Sequence, residues 1–193
     1  MKSVKIGIAY EGGSDGKIIT EIARKVFESR GYTFDSPEYE TPATGLLGFI
    51  VLYTKRFAAA NVDVAIFSTD QDKDLSSRRE NIIEKVRKAD ELMVEKTAIA
   101  IPDPHIEKWL LLQDQIIKNI LCIPGNEALK HGECSPKEQL LSLYEDSSYD
   151  GTVGELKLQI VSKMDIEECS KRDNTFRAFV RDIQNITNIL DRG

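Results

Sequence analysis

The sequence predicts an α/β protein: a parallel sheet flanked by helices, with a helical C-terminal extension. Three observations predict it. Residues 4–10, 62–68 and 97–101 are short apolar runs of strand length, rich in Val and Ile. A helical apolar spacing follows the first two runs, as in Ile18, Ile19, Ile22, Ala23, Val26 and Phe27, and again in Ile82, Ile83, Val86 and Ala89. Turn-forming and acidic residues separate strand from helix each time, and such alternation implies parallel strands joined by right-handed crossovers.

The first strand ends in Glu11-Gly12-Gly13-Ser14-Asp15-Gly16, with Ser14 or Asp15 available as N-cap and Gly31 as the helix stop. A second helix is expected over 45–60. The run 62–68 is almost uninterruptedly apolar, the mark of a strand buried on both faces. A long helix over 75–93 and the strand 97–101 complete the core, residues 1–103. From 104 to 193 the pattern is helical, with helices expected over 105–121, 136–144, 153–164 and 175–190. No linker separates the two parts, so they are expected to fold as a single unit.

The chain has 193 residues, 41% hydrophobic and 30% charged, enough for one substantial core. No apolar run reaches the roughly 18 residues of a membrane helix, and no cleavage site follows the first strand, which points to a cytoplasmic protein without a membrane partner. The net charge of −6 does not announce nucleic-acid binding. Basic residues are nevertheless clustered at Arg78-Arg79, Lys85, Arg87-Lys88 and Lys171-Arg172. Cys122, Cys134 and Cys169 are odd in number and widely spaced, so buried free thiols are favoured over a zinc site completed by His131.

Ligands of open parallel sheets bind beyond the carboxyl ends of the strands, where loops converge and helix N-termini point inward. Each strand here delivers acids to that edge: Glu11 and Asp15, then Asp70 and Asp72, then Asp103 and Glu107. Magnesium and manganese favour carboxylate and water oxygens, so acids from separate strand ends suit Mg2+ or Mn2+. Asp70 and Asp72, two apart in extended chain, face the same way. Glycines after Glu11 let the backbone approach a metal or phosphate closely. Asp15, Asp74 and Asp103 weigh more as caps or turn residues.

Other site chemistries fail on spacing. A calcium loop beginning at Asp70 would need Gly at its sixth position and Glu at its twelfth, where Leu75 and Asn81 stand. Residues 12–17 lack the phosphate-loop spacing, and Ile18 replaces its hydroxyl residue. His105 and His131 have no convincing nucleophile beside them, and Trp109 reads as a packing residue. A phospho-receiver domain would need a lysine at the end of a late strand, and here that strand leads to Pro102.

The segments Ala9-Tyr10-Glu11-Gly12-Gly13-Ser14-Asp15 and Ser68-Thr69-Asp70-Gln71-Asp72 resemble the Toprim domain shared by topoisomerases, primases and the overcoming-lysogenization-defect nucleases. Residues 101–111, with Pro102, Glu107, Trp109, Leu110 and Leu111, resemble a small stand-alone branch of that family, as do residues 134–138 and 176–180. The resemblance implies a Toprim-like sheet and metal-dependent phosphodiester cleavage in DNA or RNA, with Glu11, Asp70 and Asp72 as catalytic metal ligands. Asp15 and Glu107 join the ligand set only by that resemblance. Topoisomerase and primer-synthesis activities would need further domains. A nuclease results, in a phage-defence setting with a separate partner protein such as an ATPase. The alternative is a catalytically inactive Toprim-like module that binds a partner protein or nucleotide.

Overall fold

Side chains alternate across a strand, and these strands are apolar on both sides, so the sheet must be covered on both faces. The computed structural model describes residues 1–12, 15–34, 37–40, 45–70, 75–124 and 134–192. Its strands are β1 (Lys2–Ser3), β2 (Ile6–Tyr10), β3 (Tyr32–Thr33), β4 (Glu38–Glu40), β5 (Val64–Ser68) and β6 (Thr97–Ala100). Its helices are α1 (Asp15–Ser29), α2 (Ile50–Ala59), α3 (Leu75–Ala89), α4 (Ile106–Leu110), α5 (Asp114–Leu121), α6 (Pro136–Glu145), α7 (Val153–Lys163), α8 (Ile166–Arg172) and α9 (Asn174–Leu190). The main sheet runs β4-β2-β5-β6, and β1 pairs with β3 beside it; every described pairing is parallel. No described helix is long and apolar enough to cross a membrane.

Alternation divides the core into two layers. Ile6 and Ile8 of β2, Val64 and Ile66 of β5, and Ala98 and Ala100 of β6 face α1 and the C-terminal helices. Ala9, Ala65, Phe67 and Ile99 face α2 and α3. Gly7 is required on that second face: a β-carbon there would lie 2.4 Å from the Phe57 ring of α2.

The first layer is one continuous cluster that takes in both the strands and the helices beyond residue 104. Trp109 is its joint, fully buried, stacked on Phe179 at 6.0 Å and edge-on to Phe176 at 5.1 Å, with its indole N–H donated to Thr175 Oγ1 at 2.8 Å. One helical stripe, Phe176, Phe179, Val180, Ile183 and Ile186, turns α9 onto the sheet. Asp182, on the same helix, accepts the Ile99 N–H at 3.0 Å and pairs through both carboxylate oxygens with Arg79 of α3. A helix carboxylate thus serves the outer edge of β6, where a further strand would otherwise bond.

Several elements differ from their sequence expectation. The helix expected over 75–93 stops at Ala89, because Asp90 turns its side chain back to cap a 3-10 turn at Glu91–Met93. The expected 105–121 helix is broken in two at Gln113, whose backbone is non-helical and whose amide reaches Cys169 Sγ at 3.0 Å. Trp109, Leu110 and Leu111, in the last turn of α4 and its cap, are all buried just ahead of the break. Residues 46–48 form a 3-10 turn ahead of α2. β1, β3, β4 and α8 are not expected from the sequence; the three strands are short, and α8 is announced only by Asp165 capping the Glu168 N–H. Of the thiols only Cys169 is buried, and burial pushes it up to about 11; Cys122 and Cys134 are exposed, contrary to expectation, and all three are free. His131 lies outside the described residues.

Trp109 is the only tryptophan, so its fluorescence reports the joint between sheet and C-terminal helices. Urea unfolding followed by this fluorescence and by far-UV circular dichroism should give coincident transitions, the behaviour of one cooperative unit. Trp109→Ala should lower stability by about 3–5 kcal/mol. A fluorescence transition well below the dichroism transition would show that the helices unfold separately.

Candidate metal-binding edge of the sheet

The register sets the site. Tyr10 pairs with Ser68, and Ser68 with Ala100, so three neighbouring strands finish level. The ladder runs one residue further: Glu11 N–H bonds the Ser68 carbonyl at 3.1 Å, and Thr69 N–H bonds the Ala100 carbonyl at 3.1 Å. Glu11 and Asp70 therefore leave adjacent strands at the same edge. Gly12 turns the chain with φ 90°, a conformation side chains disfavour, and a β-carbon there would meet Asp15 Oδ2 at 2.8 Å. Asp15 opens α1 immediately beyond, with its carboxylate folded toward this turn.

Glu11 is held from three directions. Its Oε1 accepts the Leu46 N–H at the start of the 3-10 turn, its Oε2 accepts the Thr69 hydroxyl, and Arg78 of α3 stands 3.7 Å from Oε2. A carboxylate has about four lone-pair positions, so the two bonds orient it and leave acceptor capacity. Asp70 pairs with His105, Oδ2 to Nδ1 at 3.2 Å. Burial raises the pKa of Asp70 above the ordinary carboxylate value; the His105 contact opposes the shift, and the charges of Glu107 and Glu11 add to it.

Glu107 sits in the first turn of α4 and is buried, with Oε1 2.6 Å from Lys157 Nζ on α7. Asp103 lies 4.0 Å from Lys108, which stands 3.6 Å from Asp173, the capping residue of α9. Asp72 and Asp74 lie outside the described residues. Among the described residues no three of His, Cys, Asp and Glu converge tightly enough to cage a metal by themselves.

Of the sequence candidates, then, Glu11, Asp70 and Glu107 share one electrostatic neighbourhood, and Asp15 flanks it across the Gly12 turn. The sequence reading missed Thr69, Arg78, His105 and Lys157. Thr69 and Arg78 stood next to or within segments already singled out, whereas His105 was set aside for want of a nucleophile. Lys157, 50 residues from Glu107, carried no local signal.

Because the folded state holds a proton on Asp70 more tightly than the unfolded chain does, its charge opposes folding at neutral pH. That penalty is lost as pH falls through the raised folded pKa. Asp70→Asn should therefore raise the urea midpoint at neutral pH, and its advantage over wild type should shrink on acidification toward the ordinary aspartate range. A midpoint lowered at neutral pH would contradict the assignment of burial as the dominant influence. Against known proteins, no protein-family model, no curated protein and no solved structure matches the chain.

Proposed function

We propose that the chain is a divalent-metal-dependent nuclease of Toprim type, cleaving phosphodiester bonds in DNA or RNA. The observation that carries this is the emergence of Glu11 and Asp70 from adjacent, level strand ends, with Asp70 half-buried so that burial raises its pKa and the charges of Glu107 and Glu11 add to the shift. The donor chemistry fits the ion: Mg2+ is commonly held by one or two carboxylates, with waters and substrate phosphate completing its shell. Glu11 and Asp70 would hold Mg2+ or Mn2+, and Asp72 belongs to the same set by its sequence position. The ion supplies water activation and charge neutralisation when bound.

The protein's own groups would prepare that chemistry. Thr69 and the Leu46 N–H fix the Glu11 carboxylate, and His105 fixes Asp70. Arg78 brings a guanidinium to the same edge, suited to a phosphate oxygen. Lys157 balances the buried charge of Glu107. Cytoplasmic action in phage defence with a separate partner such as an ATPase belongs to the same proposal and rests on the family resemblance.

A second reading has its own observation. Glu11 already engages two donors and an arginine, and Glu107 is closed by Lys157, an arrangement that also suits a catalytically inactive module binding a partner protein or nucleotide.

Purified protein with Mg2+ or Mn2+, assayed on single- and double-stranded DNA and RNA, separates the two. Cleavage should fall more than about 100-fold in Glu11→Gln and in Asp70→Asn, beyond what loss of a ligand-orienting group costs, whereas Thr69→Ala should lose about 10- to 100-fold. Equal cleavage by wild type and Asp70→Asn would refute the mechanism. Absence of both cleavage and thermal stabilisation by Mn2+ would favour the inactive module, since a ion bound only to the native state raises its apparent stability.

A further inference from the structure

Away from the acidic edge, a cavity of about 420 Å³ opens between α1, α8 and α9. That volume lies within the roughly 300–1,000 Å³ of small-molecule sites. Its α1 side is formed by the last turns of the helix: Lys25 stands ten residues, about 15 Å along the axis, from Asp15.

Four cations border the cavity, Lys25 from α1, Lys171 from α8, and Arg177 and Arg181 from α9, against a single acid, Glu167. This occurs in a chain of net charge −6. Arg177 Nε donates to the Ser170 carbonyl at 2.6 Å and its Nη2 to the Lys171 carbonyl at 3.2 Å. Those bonds occupy two of its five donors and fix the planar fork. Lys25 Nζ donates to the Met164 carbonyl at 3.3 Å, a neutral partner that leaves its charge uncompensated. Lys171 has Glu168 at 3.9 Å, an exposed pair of little strength. Among the described residues no carboxylate pairs with Lys25, Arg177 or Arg181.

Between the cations the wall is apolar, formed by Val26, Ile166 and Val180. A ligand that fills the site must therefore carry several negative charges on an uncharged body. Phosphate groups meet the first requirement and match the guanidinium fork. No aromatic side chain is among the described residues lining the cavity, so it lacks the stacking platform of a single-strand groove.

We propose that this cavity binds a phosphate-bearing small molecule of nucleotide size, its phosphates held by Lys25, Lys171, Arg177 and Arg181 and its body laid on Val26, Ile166 and Val180. The site is independent of the metal edge and of cleavage.

Isothermal titration of the whole chain without divalent metal tests it, with ATP, AMP, inorganic phosphate and a short single-stranded oligonucleotide as probes. ATP should bind saturably at one site, more weakly as salt rises. Affinity should fall at least about tenfold in Arg181→Glu, where charge is reversed on an exposed side chain, and be reduced in Lys25→Gln, which keeps a donor of similar reach. Asp70→Asn should bind as wild type does, and thermal melts of each variant check that the fold is kept. The proposal is overturned if no nucleotide binds saturably, if both variants bind unchanged, or if inorganic phosphate binds as tightly as ATP. It is equally overturned if the oligonucleotide alone binds in an Arg181-dependent manner, which would make the face a nucleic-acid interface.

Discussion

Three parallel strands finish level, and this alignment positions every group at the acidic edge. Parallel pairing of β2 with β5 and of β5 with β6 sets Tyr10, Ser68 and Ala100 side by side, and the backbone bonds of Glu11 and Thr69 carry that alignment one residue beyond the strands. A slip of one residue would turn every strand side chain to the opposite face and move the acids out of line with one another. Burial on both faces forbids that slip, since Ile6, Ile8, Val64 and Ile66 belong to one core and Ala65, Phe67 and Ile99 to the other. Packing therefore holds the carboxylates at a common edge although their mutual repulsion opposes it.

The C-terminal helices contribute more than cover. Trp109 ties α4 to α9, and Asp182 on α9 occupies the β6 edge and reaches across to Arg79. Lys157 of α7 meets Glu107 of α4 in a nearly dry environment, where an unpaired carboxylate would be costly. The acids at the edge are thus met from separate elements: Arg78 from α3, the His105 ring from the loop after β6, and Lys157 from α7. Toward the other end of α1 from Asp15, α8 and α9 gather cations around a cavity.

Much of the α/β core was legible locally. Strands buried on both faces announce themselves by continuous apolar runs, and α1 and α9 by regular apolar spacing, because burial there is repeated along the element. Boundaries were less legible where a single polar side chain decides them. Asp90 ended α3 early by capping the next turn, and Gln113 broke the expected long helix by turning toward Cys169. β4 pairs with β2 through parallel backbone bonds and the edge-on contact of Tyr39 with Tyr10, which its short sequence, Glu38-Tyr39-Glu40, does not advertise.

Acids after each of the three predicted strands, Gly12 beside Glu11 and an apolar stripe on the last helix that needs a surface to cover are all legible along the chain. These are properties of neighbouring residues and of periodicity. Folding alone selects the groups that meet those acids: Thr69 and Leu46 on Glu11, His105 on Asp70, Lys157 on Glu107. Packing likewise brings Lys25, Lys171, Arg177 and Arg181, of which only Lys171 stands in a basic cluster of the sequence, to the border of one cavity. The physical reason is that a charge's partner is set by proximity in space, and long-range proximity is fixed by how the apolar faces pack, which no local pattern of charges encodes.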